Sequence, residues 1–148
     1  EEKPQMPMQN PAMGGMMYST GLSGWIGGQI ISLLGGEPSE LLLVAVFCVM
    51  SLLLSELTSH TAATNMIGPL AIGAALSAGF SPIPVAVGVA LSASLGFMLP
   101  VSTPPNAIVY ASGYIPITKM RKTGVIIDVI GIACITIPIV LFLVKMIV

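Results

Sequence analysis

Between Leu41 and Lys119 the chain carries one formally charged side chain, Glu56. A bilayer crossing takes about 20 apolar residues, so this run spans more than one crossing. Over the whole 148 residues, 55% are hydrophobic and 7% charged. A soluble domain carries about 25% charge, and a soluble core of this size needs a charged shell that is missing here. The mean hydropathy of +0.98 agrees. Helices satisfy their own backbone groups in hydrocarbon, so the sequence predicts an all-α integral membrane protein, multi-pass, in a cell inner membrane or plasma membrane and in contact with lipid.

Two polar islands interrupt the apolar run. The first is Thr58-Ser59-His60-Thr61, and the second is Pro100-Val101-Ser102-Thr103-Pro104-Pro105-Asn106. Exposed backbone and hydroxyl groups in an apolar setting are costly, and they are kept mainly where they line a site. We therefore expect two helices broken near the midplane, with loops at 58–61 and 100–106.

Spans are expected at 41–55, 62–78, 83–100 and 124–144, with an interruption or bend at Pro69 and with Pro138 inside the last span. Residues 1–13 form an atypical segment rich in Met, Pro and Gln, without the flanks of a signal peptide. The absence of an initiating Met suggests a fragment, a processed chain or a sequence with parts missing. Residues 14–34 hold six glycines and a Ser19-Thr20 pair, which fits a re-entrant helical hairpin turning near Ser19 to Gly21 or one Gly-rich spanning helix. Gly35 to Ser39 reads as a turn, with Ser39 capping the next helix. Lys119, Arg121 and Lys122 put the 115–123 connection on the cytoplasmic side, and Lys145 snorkels at the other end of the last span.

The chemistry follows from the side chains in the islands. Ser55, Thr58, Ser59, Thr61, Ser102 and Thr103 supply neutral oxygens for a hard cation such as sodium, and hydroxyl donors for a carboxylate or oxyanion. A broken helix aims its N-terminal N–H groups at an anion and its C-terminal carbonyls at a cation. His60, the single imidazole, reads as a ligand or as a hydrogen-bonded packing residue. Glu56 either counterbalances a cation or sits inside the bundle with a hydroxyl partner. Cys48 and Cys134 read as small buried hydrophobes rather than a disulfide or metal pair. No basic stripe follows a phosphate backbone, which argues against nucleic-acid binding. An enzyme is a poor reading too, because the residues present assemble no nucleophile and base, metal cluster or nucleotide loop.

Ser59-His60-Thr61 resembles the Ser-Asn-Thr motif of the divalent anion/sodium symporter family, which includes dicarboxylate, citrate and sulfate transporters. The stretch from Phe97 to Gly113 is similar to that family's long C-terminal signature almost throughout, and residues 14–34 resemble its second re-entrant hairpin. The resemblance covers 14–148 and implies the C-terminal half of an inverted-repeat transporter that forms homodimers. It implies that the first repeat completes the site, from a separate chain, a longer protein or a second copy. By matching position, Ser55, Thr58, His60 and Ser102 resemble the residues around the second sodium site. Ser59, His60, Thr61, Thr103 and Pro104 resemble those that face the substrate carboxylate. His60 departs from the family's Asn, and an imidazole has no amide oxygen to offer sodium. The expected function is secondary active transport of a divalent anion such as a C4-dicarboxylate, coupled to sodium. The alternatives are proton coupling or exchange, or a non-transporting membrane subunit or assembly fragment.

Overall fold

The computed structural model describes residues 16–17, 19–33, 35–36 and 39–139. The segment 1–13, residues 14–15, 18 and 34 of the expected hairpin, Glu37-Pro38 of the expected turn, the 140–144 end of the last expected span and Lys145 lie outside the described residues. Those described form an all-α domain of six helices: α1 (Leu22–Leu33), α2 (Glu40–Leu57), α3 (His60–Ser77), α4 (Pro82–Ala93), α5 (Pro104–Ala111) and α6 (Ile117–Pro138).

Helix starts follow local chemistry. Ser39, Ser59, Ser81 and Thr103 each stand in extended backbone and accept a backbone N–H from the first turn of α2, α3, α4 and α5, respectively. Proline at the start of α4 and of α5 costs nothing there, since its missing N–H would have had no partner. Between α3 and α4 the chain reverses at Gly79, whose φ of 76° is a left-handed conformation that glycine adopts freely, and Phe80 N–H donates back to Ala75 O at 2.9 Å. Ahead of α1, Thr20 N–H closes a helical turn onto Met16 O at 3.0 Å before Gly21, where φ is 74°.

Small residues set the packing. A Cβ at Gly27 of α1 would lie 2.7 Å from the backbone N of Ala74, and one at Gly73 of α3 would lie 2.8 Å from Ser23 C and O, so these two helices touch backbone to backbone. On the other side, Gly88 of α4 receives Cys48 of α2, and Ser51 Oγ donates to Val89 O at 2.9 Å. Leu43, Val44, Phe47, Ile67, Ala71, Ala75, Val85 and Val89 fill the core between α2, α3 and α4. Cys48 is buried there, whereas Cys134 is exposed on α6, so only the first cysteine acts as a core hydrophobe.

Several boundaries differ from those expected. Glu40–Leu57 is the one helix among the described residues long and apolar enough to cross a membrane. The helix expected over 83–100 ends at Ala93, and the backbone from Ser94 to Thr103 is non-helical although it stays apolar through Leu99. The first break is shorter than 58–61, because Ser59 already caps α3 and only Thr58 and Ser59 lie between the helices. α6 begins at Ile117, so the three basic residues sit on its first turns rather than in a connection. No interruption occurs at Pro69: α3 runs through it, held along its second half against α1. α5 buries none of its residues, and α6 leaves Val125, Ile126, Val129, Ile130 and Ile137 exposed.

Candidate functional site

The last turn of α2 is bound side chain by side chain to the 94–103 loop. Ser55 Oγ, fully buried, lies within hydrogen-bond distance of Leu95 O at 2.9 Å and of Leu52 O in its own helix at 2.8 Å. Glu56, 2% exposed, accepts Met98 N–H at Oε1 and Leu99 N–H at Oε2, each at 2.9 Å. Its Oε2 also accepts the hydroxyl of Ser102. Three donors therefore converge on one buried carboxylate. Of the two roles open to Glu56 in the sequence, the structure shows the hydroxyl partner inside the bundle.

A second clamp comes from the start of α5. Thr103 Oγ1 accepts Asn106 N–H at 3.3 Å, while Asn106 Nδ2 donates to Gly96 O at 2.9 Å and to Leu99 O at 3.3 Å. The loop's carbonyls are thus held from one side and its N–H groups from the other. Its centre is Gly96, with φ 149°: a Cβ there would lie 3.1 Å from His60 Cε1 and 3.5 Å from both Ser102 Cβ and Ser55 Oγ. Ser55, His60 and Ser102 therefore converge on one glycine, and His60 Nδ1 is buried with no hydrogen-bond partner.

The remaining expected residues are distributed around this point. Thr58 Oγ1 turns back to Leu54 O at 2.8 Å, and Ser59 Oγ accepts Ala62 N–H at 3.2 Å. Thr61 is exposed on the first turn of α3. Thr103 and Pro104 line an open cavity of about 730 Å³ with Leu99, Val101, Ala107 and Tyr110, none of which belongs to the first island. The structure thus groups Ser55, His60 and Ser102, places Thr58 beside them on the chain, and sets Thr103 and Pro104 at the start of α5 on the wall of that cavity. Gly96 and Asn106 went unassigned in the sequence, where a glycine in a small-residue run reads as helix packing. The signal for Asn106 was an amide just after two prolines, where a helix starts and a side chain is free to reach back.

Residues 11–148 match the family described as the sodium:sulfate symporter transmembrane region. The chain belongs to the divalent anion/sodium symporter family. It is 40% identical over 115 residues to the Na(+)/citrate cotransporter of Rattus norvegicus, covering 78% of this chain and 20% of that protein. It is 37% identical over 116 residues to the sodium-dependent dicarboxylate transporter SdcS of Staphylococcus saprophyticus, covering 78% of this chain and 22% of that one. Against solute carrier family 13 member 2 of Rattus norvegicus the identity is 35% over 120 residues. The chain spans about a fifth of the length of these symporter relatives. Membership marks it as part of a transport family and not of an enzyme family.

Proposed function

We propose that this chain is the C-terminal repeat of a secondary active transporter that moves a divalent anion such as a C4-dicarboxylate, with sodium as the co-transported ion. The observation that carries the reading is the convergence of Ser55, His60 and Ser102 on Gly96, where the two islands are locked together through Glu56. Oxygens of Ser55, Thr58 and Ser102, with backbone carbonyls around His60, suit a hard monovalent cation that must bind and leave. Ser59, His60 and Thr61 at the start of α3, with Thr103 and Pro104 at the start of α5, face the anion. Both helices begin at their islands, so their N-terminal partial charges favour a carboxylate even though neither island contains Arg or Lys.

In this reading residues 14–34 are a re-entrant hairpin, supported by the turn at Gly21. The helices α2, α3, α4 and α6 cross a cell membrane in multi-pass form, and the exposed faces of α5 and α6 meet lipid and the other repeat. The two repeats alternate access by moving together, and the whole protein is a homodimer. Relatives named for sodium-coupled citrate and dicarboxylate transport support this substrate class.

The test is uptake of radiolabelled succinate into proteoliposomes containing the intact protein. Uptake driven by an inward sodium gradient and abolished when choline replaces sodium is the expected result. Folded protein that takes up nothing under either gradient favours a non-transporting subunit. Uptake driven by a proton gradient alone, or by counter-substrate alone, assigns proton coupling or exchange.

A further inference from the structure

Lys119, on the first turn of α6, lines one end of a second open cavity, of about 470 Å³, that α6 shares with α5 and the 94–103 loop. Its walls are apolar: Phe97 comes from the loop, Val109 from α5, Ile115 from the connection between the helices, and Met120 and Ile127 from α6. Lys119, Thr123 and Ile127 follow one another at four-residue spacing on one face of α6, so the cavity extends about 12 Å along the helix at 1.5 Å per residue. Beyond this face the exposed side chains of α6 remain apolar, through Val129 and Ile130.

The charge gathers at one end. Lys119, Arg121 and Lys122 are all exposed. No Asp or Glu occurs between Glu56 and Asp128, and both of these are buried. Lys119 and Lys122 are three residues apart, which makes them neighbours on the helix surface, and a like-charge pair of this kind is unfavourable without an anion. Tyr114 lines the cavity too and is 91% exposed. Tyr and Lys are the side chains that settle at the level of lipid head groups. A small dicarboxylate makes no use of a long apolar wall, and an apolar helix makes no use of two lysines.

We propose that this cavity binds an anionic phospholipid, with its phosphate on Lys119 and Lys122 and an acyl chain along Val109, Phe97 and Ile127. Apolar length and a cationic end complement the two parts of such a molecule. The acyl chain then rests on the loop that Glu56 fastens through the N–H groups of Met98 and Leu99. The proposal rests on the reading of α6 as a membrane-crossing helix, and its readout is lipid binding and not uptake.

The test is native mass spectrometry of the intact, delipidated protein titrated with phosphatidylglycerol, with phosphatidylcholine of the same acyl chains, and with glycerol phosphate. The expected result is a first phosphatidylglycerol adduct that forms more tightly than the phosphatidylcholine one and that weakens roughly fivefold in Lys119→Gln and in Lys122→Gln. Val109→Trp, which fills the apolar wall and keeps both lysines, should weaken the adducts of both lipids. Equal binding of the two lipids would overturn the proposal, as would a preference that survives both lysine substitutions, because the lipid would then sit elsewhere. Displacement of phosphatidylglycerol by equimolar glycerol phosphate would overturn it in favour of a plain phosphate site. Folded protein that retains no lipid would overturn it in favour of a cavity covered by another part of the protein. Sodium-driven uptake without a retained lipid defeats this proposal alone, whereas a retained lipid without uptake defeats the transport reading alone.

Discussion

Ser102 donates its hydroxyl to the Glu56 carboxylate across 46 residues of sequence, joining the second polar island to the end of α2 just before the first. This contact and the two backbone N–H groups beside it make Glu56 the fastening of the site and not a free countercharge. Glu56→Gln replaces one acceptor oxygen with a donor and leaves at least one buried donor facing another. The cost of such a mismatch is about 1–3 kcal/mol, so the variant should unfold at a lower temperature in detergent. Ser102→Ala should cost less, and the double variant should cost less than the two single ones together. Additive losses would mean that the two residues act independently.

Asn106 holds two carbonyls of the same loop. Asn106→Ala should release them and raise amide hydrogen exchange across 94–103 several-fold, since each bond is worth about 1 kcal/mol, while exchange in the middle of α2 stays as it was. Unchanged exchange in the loop would show that Glu56 alone is sufficient.

Gly96→Ala adds a Cβ at positive φ, 3.1 Å from His60 Cε1. Strain of this type costs about 1–3 kcal/mol and falls at the point where the islands meet. The folded variant should need a higher sodium concentration for half-maximal uptake. A sodium titration superimposable on the parent's would take Gly96 out of the site.

The sequence made the islands and the capping hydroxyls legible, because polar side chains stand out against a run with one charge. Ser39 could be read as a start for the same reason, whereas Ser59 and Thr103, read as ligands in the broken loops, also cap α3 and α5. The end of α4 could not, since Ser94 to Leu99 remains apolar and small residues suit a helix interface as well as a loop. What bends the chain there is tertiary: Glu56 and Ser55 supply partners for backbone groups that a helix would otherwise use. At Pro69, where an interruption or a bend was expected, α3 is not interrupted, and its following turns pack closely on α1 at Gly73 and Ala74.

His60 stands where the family carries Asn. An imidazole has no amide oxygen to offer sodium, so His60→Asn should steepen the sodium dependence of uptake. Identical sodium profiles for the two proteins would leave His60 as a packing residue.

Thr103→Ala should weaken anion binding by about 1–3 kcal/mol, the cost of a hydroxyl lost from a desolvated site. Ser92→Ala is the comparison, because Ser92 is fully buried and spends its hydroxyl on Gly88 O and Val89 O. Equal effects in calorimetric titration would remove Thr103 from the site.

The central claim is that residues from both sides of the Glu56 fastening serve one sodium-coupled site. Sodium titration of succinate uptake by Ser55→Ala and Ser102→Ala tests it most directly, because these two hydroxyls come from the end of α2 and from the second island and converge on Gly96. The account predicts that both variants fold and that both raise the half-maximal sodium concentration by roughly tenfold, the equivalent of about 1.4 kcal/mol. A shift in one variant with none in the other, or no shift in either, would contradict it.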